Sequence, residues 1–347
     1  MLEPIYPPKP SPGDRVAVVS PSRGLPEIFP EVYEAGLAQL RDQLDLVPVE
    51  YPTTRIMGAG PRERARDLQA AFADPGIAAV MSTIGGDDQI TVVPHLDRDV
   101  LRASPKPFFG SSDNTNLLHL LYGCGIVGYH GGSIMVDLGR GGGPHPVHLD
   151  SLRAALFTDG WYELAASPEW TDQPNDWADP AARVRAPEMW PSAGWSWQGP
   201  ADRVVTGRLW GGNLEVLSWL LMAGRVGPSE AYAGRVFLME TSEELPPATE
   251  VYRILRSIGE RGLLGGFPAV LVGRPKAWDF ARPNPPEAKA AYAAEQREAV
   301  MRAVAEYAPE AVVVFDLDAG HTDPQQILPY GGVVRVDARG RRIAVHY

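Results

Sequence analysis

The chain contains a single cysteine, Cys124, among its 347 residues. It can form no internal disulfide, and its apolar surroundings suit a buried thiol in a reducing compartment, so a cytoplasmic location is expected. No apolar run approaches the ~20 residues that a bilayer-spanning helix needs. The start, from Met1 to Pro8, lacks both the basic opening and the hydrophobic centre of an export signal, so export is not expected. Basic residues are in deficit, with 32 Lys and Arg against 43 Asp and Glu and a net charge of -11. Nucleic-acid binding rests on counterion release by Lys and Arg clusters, and none is found here. Neither a nucleic acid nor a membrane is therefore expected as partner. Internal repeats and low-complexity tracts are also missing.

A hydrophobic fraction of 44% and a charged fraction of 22% are those of a folded domain protein. The length exceeds one usual domain, which makes two domains the expectation. Residues 15–20 form a short continuous apolar run, the pattern of a central parallel strand. Helical spacing follows at 29–44, a strand at 46–51, a helix at 61–72 and a strand at 78–84 that ends in Gly85-Gly86-Asp87-Asp88. The alternation continues through strands at 106–109 and 126–129 and a helix at 149–157. It predicts an α/β fold with a doubly wound N-terminal domain over 1–160.

Residues 160–200 differ in character. Trp161, Trp170, Trp177, Trp190, Trp195 and Trp197 stand among Pro, Asp, Gly and Ser with no sustained period. Six tryptophans do not fit the composition of disorder, so 161–200 reads as a long ordered loop between domains. Such aromatics suit a planar or apolar ligand, or they simply pin the loop to the body. From 201 to 347 strands at 203–209, 235–239, 269–273 and 311–315 alternate with helices at 213–222, 248–262 and 286–307, and a terminal hairpin follows. This is a smaller C-terminal α/β domain rich in strands.

The chemistry concentrates at strand ends. Lys106 to Phe109 read as the end of a buried strand, Gly110 permits a tight turn, and 114–121 carry helical spacing. A serine in such a turn is held at the edge of the sheet, with the amides of the opening helix aimed at whatever it attacks. Ser112 is the candidate nucleophile; the alternative is that Ser111 and Ser112 only cap the helix. Gly85-Gly86, Ser112, Glu240 and His321 each follow a predicted strand, and residues past the carboxyl ends of strands line the ligand crevice of open sheets. A serine needs a base, an imidazole needs a carboxylate to set its tautomer, and a developing oxyanion needs N–H donors. These residues fill those roles in kind, although His321 could equally be a satisfied loop histidine.

Gly110-Ser111-Ser112-Asp113-Asn114-Thr115 resembles the Gly-x-Ser-Asp-x-Thr turn of the LD-carboxypeptidase family of serine peptidases. Gly211-Gly212-Asn213-Leu214, the strand ending at Glu240, Gly320-His321-Thr322-x-Pro324 and Leu328-Pro329-x-Gly331 are similar to that family's later motifs, in the same order. The resemblance implies a Ser112, His321, Glu240 triad spanning two domains, with the Gly86 and Asp113 amides as the oxyanion hole. It also implies a homodimer, no metal and no cofactor. Gly85 and Asn213 join the candidates for substrate binding.

Murein-recycling members carry a Gly-Gly-Tyr-Gly turn where this chain has Gly85-Gly86-Asp87-Asp88. The tryptophan-bearing insertion is instead similar to the branch containing the microcin C immunity peptidase, which cleaves an aminoacyl nucleotide between its two parts. An aromatic residue of the insertion stacks on the base in that branch. The resemblance offers Trp177 and then Trp170 for that role. Microcin-C-like aminoacyl nucleotides are thus the expected substrates, and a murein tetrapeptide ending in D-Ala is the alternative. Two other classes remain open at this level: the Gly-Gly-Asp phosphate turn of NAD kinases and a non-catalytic solute-binding module.

Overall fold

The structure, a computed structural model, describes residues 3–347. Its N-terminal half runs β1 (Arg15–Val19), α1 (Pro30–Leu44), β2 (Val47–Glu50), α2 (Pro61–Ala73), β3 (Ala79–Ser82), α3 (Arg98–Ala103), β4 (Phe108–Gly110), α4 (Thr115–Gly123), β5 (Gly128–His130) and α5 (Pro146–Phe157). The five strands are parallel in the order β2-β1-β3-β4-β5. This is a doubly wound order whose direction reverses between β1 and β3, where open sheets of this kind form their ligand crevice.

The segment expected as a loop carries short elements. They are β6 (Trp161–Leu164), β7 (Glu169–Trp170), α6 (Pro180–Arg183), β8 (Trp190–Pro191) and β9 (Ser196–Gln198). Strands of two to four residues are too short to show a period of their own, so nothing in the residue pattern announces them. The C-terminal half follows with β10 (Val204–Asn213), α7 (Leu214–Met222), β11 (Val236–Glu240), α8 (Ala248–Glu260), β12 (Ala269–Gly273), α9 (Pro286–Tyr307), β13 (Val312–Leu317), β14 (Leu328–Tyr330), β15 (Val333–Asp337) and β16 (Arg342–His346).

Both halves belong to one sheet. β14 pairs antiparallel with β5 of the first half and parallel with β10 of the second, after which β11, β12 and β13 continue in parallel and β9 closes the edge. The first part of β10 turns away into a smaller antiparallel layer with β15, β16 and β6. Alternation along the central strands explains the layering, because successive side chains point to opposite faces. Val16, Val18, Leu238, Leu271, Val312 and Val314 enter one apolar core, against α1, α5 and the small layer. Ala17, Val19, Phe237, Val270, Val313 and Phe315 enter the other, under α2, α4, α7, α8 and α9. Each core runs through both halves. No helix among the described residues is long and apolar enough to cross a membrane.

Candidate active site

β4 ends at Gly110, and the chain turns through Ser111 into a short 3-10 helix, Ser112–Asn114, that runs on into α4. Ser112 holds φ of 59°, a left-handed conformation in which its Cβ crowds the following carbonyl. Such a turn is held by its surroundings. Here the buried side chain of Gln89 takes Asn114 through its amide (2.8 Å) and the Leu117 N–H through its carbonyl (2.9 Å). Asp113, wholly buried, accepts from the Gln89 N–H (2.8 Å), from Asn116 Nδ2 (2.9 Å) and from the Ser22 hydroxyl. Burial pushes the Asp113 carboxyl above its ordinary value, and the Ser22 and Gln89 hydrogen bonds oppose that rise.

The Gly85-Gly86 turn after β3 packs on this serine. A Cβ at Gly85 would lie 2.9 Å from Ser112 Cβ and 3.4 Å from the Asp113 nitrogen, and one at Gly86 would lie 2.2 Å from Ser22 Oγ. Only glycine permits backbone to approach the hydroxyl this closely. Asp87 and Asp88, the departure from the murein-type turn, hold the loop in place. Asp88 forms a double contact with buried Arg64 (2.7 and 2.6 Å), and Asp87 pairs with Arg23 at 2.9 Å. Asp88 is therefore committed to Arg64 rather than facing a phosphate.

The C-terminal half supplies the other two groups. Glu240 ends β11, and His321 follows β13 in the loop that leads to β14. His321 Nδ1 lies 2.7 Å from Glu240 Oε2, and its Nε2 lies 3.1 Å from Ser112 Oγ. With Nδ1–H donating to the carboxylate, a neutral imidazole has Nε2 available to accept from the serine hydroxyl. Two glycines make room for the acid: a Cβ at Gly273 or at Gly320 would come within 2.8 Å of Glu240 Cβ. Gly212, at φ of 107°, lets the end of β10 close on the nucleophile turn, where a Cβ would meet Thr115 Oγ1 at 2.7 Å. The next residue, Asn213, pairs with Glu240 in register, donates its N–H to Thr115 Oγ1 at 3.1 Å and caps α7 through its side-chain oxygen. Its Nδ2 is a buried donor without a partner.

Glu240 is 1% exposed and His321 15%. Burial alone would raise the Glu240 carboxyl, but His321 and His130 outweigh it and hold the group far below its ordinary range. Burial alone would lower His321, yet Glu240 and Glu243 together lift it well above 6.5. Two other carboxylates in the second half, Asp316 and Asp318, are engaged elsewhere. Asp318 takes Arg274 Nη1 (3.0 Å), Trp195 Nε1 (3.0 Å) and the Ser167 N–H (3.0 Å), while Asp316 pairs with Arg297 at 2.7 Å.

Two groups at the site were not among the sequence candidates. His130, fully buried at the end of β5, presents Nε2 3.8 Å from Glu240 Oε1. It obeys the strand-end rule that singled out Ser112 and Glu240, and that rule could have found it. Glu243 reaches His321 Nε2 at 3.2 Å from the loop after β11; a surface Glu-Glu pair carries no such signal.

The two tryptophan candidates pack against opposite halves of the fold. Trp170 adjoins Thr171, which bridges to Asp323 in the His321 loop, and its ring lies under Arg274 at 4.8 Å. Trp177 is half-buried against Phe29, just before α1, at 5.5 Å edge to face. Among the described residues no group of three or more His, Cys, Asp or Glu side chains is gathered as metal ligands.

Comparison with known proteins extends this picture. The Escherichia coli microcin C7 self-immunity protein MccF is 24% identical over 82% of this chain and 78% of its own. The Pseudomonas aeruginosa murein tetrapeptide carboxypeptidase is 28% identical over 91% of each. The same fold is seen in an MccF-like protein from Streptococcus pneumoniae in complex with AMP, with a TM-score of 0.84, 24% identity and coverage of 96% of this chain and 99% of that one. MccF in complex with aspartyl sulfamoyl adenosine superposes with a TM-score of 0.83 at 21% identity, over 99% of both chains. Family profiles for the LD-carboxypeptidase N-terminal and C-terminal domains match residues 16–131 and 206–336. The first match takes in the Ser112 turn and the second takes in both Glu240 and His321, so the chain belongs to the LD-carboxypeptidase family of serine peptidases.

Proposed function

We propose that this hydrolase cleaves the bond that follows an aminoacyl or peptidyl group, through an acyl-enzyme on Ser112. The observation that carries the reading is the unbroken chain from Ser112 Oγ through His321 to Glu240. His321 Nε2 takes the hydroxyl proton as Ser112 Oγ attacks the carbonyl carbon, and Glu240 stabilises the imidazolium that results. The N–H groups of Gly86 and Asp113 receive the oxyanion. Asp113 N opens a helical turn, where amides lack partners within the helix, and Gly85 brings the glycine turn against it. His321 then protonates the leaving group, and water resolves the ester by the same route in reverse. Cytoplasmic action as a homodimer belongs to this reading. Fluorophosphonate labelling tests it: the parent is expected to react and Ser112→Ala to stay unlabelled, and labelling of both proteins at another residue would overturn the assignment.

For the substrate we propose a microcin-C-like aminoacyl nucleotide. Support comes from relatives solved with AMP and with aspartyl sulfamoyl adenosine, and from a tryptophan-bearing segment joined to the His321 loop through Thr171 and Asp323. Stacking of a base on an aromatic side chain is worth about 1 to 3 kcal/mol. Trp177→Ala or Trp170→Ala should therefore slow turnover of aminoacyl sulfamoyl adenosine by roughly tenfold or more while sparing an acyl ester without a base. The second reading, removal of D-Ala from a murein tetrapeptide, is favoured by the similarity to the Pseudomonas aeruginosa enzyme along almost the whole chain. Turnover of such a tetrapeptide, with none of the nucleotide, would put it first.

A further inference from the structure

We infer that Glu243 sets the acyl specificity of the cleft, taking a cationic group on the acyl part of the substrate and disfavouring an acidic one. This rests on the proposed hydrolysis at Ser112 and concerns which acyl group that reaction accepts.

The Glu243 carboxylate touches the same nitrogen that Ser112 must use. His321 Nε2 lies 3.1 Å from Ser112 Oγ and 3.2 Å from Glu243 Oε2, so the carboxylate is one imidazole atom away from the nucleophile. The two contacts make opposite demands: Glu243 needs a proton on Nε2, and the serine hydroxyl needs that nitrogen bare. With Glu240 on Nδ1, His321 stands between two carboxylates and keeps both protons, which is the inactive state of a general base.

The backbone beneath Glu243 is firmly held. Ser242 gives both its N–H (2.9 Å) and its hydroxyl (2.7 Å) to buried Glu215, and Arg282 donates to the Glu244 and Leu245 carbonyls. Pro246 and Pro247 follow. The Glu243 side chain, by contrast, is 56% exposed. A fixed backbone bearing a movable carboxylate at the nucleophile is suited to meeting a substrate group. The nearby cation is Lys276, which is buried and shared with Asp172 and Asp279, so the charge of Glu243 is only partly offset.

A cation on the acyl group would draw Glu243 off Nε2, the Nε2 proton would pass to solvent, and His321 would become competent as a base. An acidic acyl group would face like charge, and like-charge juxtaposition is a strong means of exclusion. MccF, by contrast, has been solved with aspartyl sulfamoyl adenosine and glutamyl sulfamoyl guanosine, both with acidic acyl groups.

The test compares kcat/KM for lysyl, alanyl and glutamyl sulfamoyl adenosine in the parent and in Glu243→Gln, with calorimetric binding of the same three to Ser112→Ala. The parent should favour lysyl over glutamyl by about tenfold or more, in turnover and in binding. In Glu243→Gln that ratio should fall toward one, and the acid limb of the alanyl profile should move to lower pH. A parent ratio of one or below, or a ratio and acid limb unchanged in Glu243→Gln, overturns the inference. Failure of the nucleotide reading looks different: none of the three compounds is bound or cleaved, whereas a D-Ala tetrapeptide is. The same comparison then runs on tetrapeptides with Lys or Glu as the penultimate residue, and equal rates there overturn the role of Glu243.

Discussion

Gly320 lies directly against the carboxylate of Glu240: a Cβ at Gly320 would stand 2.8 Å from Oε2, the oxygen that receives His321 Nδ1. Its φ of 107° is also one that side chains rarely adopt. Gly320→Ala should therefore push Glu240 off His321 and strain the loop at once. We expect kcat/KM to fall at least about a hundredfold, since misplacement by an ångström can cost that much, together with a lower melting temperature. A variant with parental kcat/KM would show that the contact is not needed.

Ser112 carries the reacting oxygen from a left-handed backbone. Ser112→Ala should abolish hydrolysis with the fold intact, whereas Ser111→Ala should cost little. Ser112→Gly should be equally inactive but more stable than Ser112→Ala by about 1 kcal/mol, because glycine takes positive φ without the Cβ clash. Paired denaturant melts measure this difference, and equal midpoints would mean that the turn stores no strain.

Glu240 and Asp318 are both buried carboxylates near His321, yet they should fail differently. Glu240→Gln removes the charge that steadies the imidazolium, with an expected loss of up to about ten-thousandfold in kcat. Asp318→Asn leaves Arg274 as a buried charge without its partner and should cost stability of about 3 to 5 kcal/mol. Comparing kcat with the unfolding midpoint of each variant separates the two roles, and a stable but inactive Asp318→Asn would reverse them.

The acid limb of activity should lie above the ordinary imidazole value of 6.5. Burial works against protonation of His321, but Glu240 and Glu243 together raise it, so the base is freed only as pH climbs through that raised value. For stability the sign is opposite. The contribution of His321 is full below 6.5 and is lost as pH rises through its folded value. That of Glu240 is present above 4.5 and is lost as pH falls through its depressed folded value. Activity should therefore still be rising with pH where the stability contributed by the pair has begun to decline. Rate profiles and melts over one pH series would reveal the offset, and coincident optima would count against it.

What the residues disclosed depended on the length and purity of each pattern. β1, β11, β12 and β13 are buried on both faces and read as continuous apolar runs. Ser112, Glu240 and His321 were found because each follows such a run. β14 was not legible as a strand: Leu328–Tyr330 is three residues with Pro329 in the middle, and proline argues against a strand inside a sheet. In the sheet Pro329 stands opposite Tyr129 of the equally short β5. His130 was legible by the same rule, since it directly follows the predicted strand at 126–129, but it was not singled out. Glu243 stayed hidden because its function depends on the reach of its side chain across a fold, and that leaves no trace in spacing.

The three-residue strand β14 also bears on how the chain can be divided. It belongs by sequence to the second half, yet it covers β5, the last strand of the first. A fragment ending near residue 160 would leave β5 as a bare edge with unpaired N–H and C=O groups, open to pairing with other copies. A fragment beginning near 201 would lack β5, one of the two partners of β14, and the β6 and β9 strands that close two other edges. Neither piece is a sound unit for expression, and splitting this protein at the segment that separates its two family domains should yield aggregation-prone material.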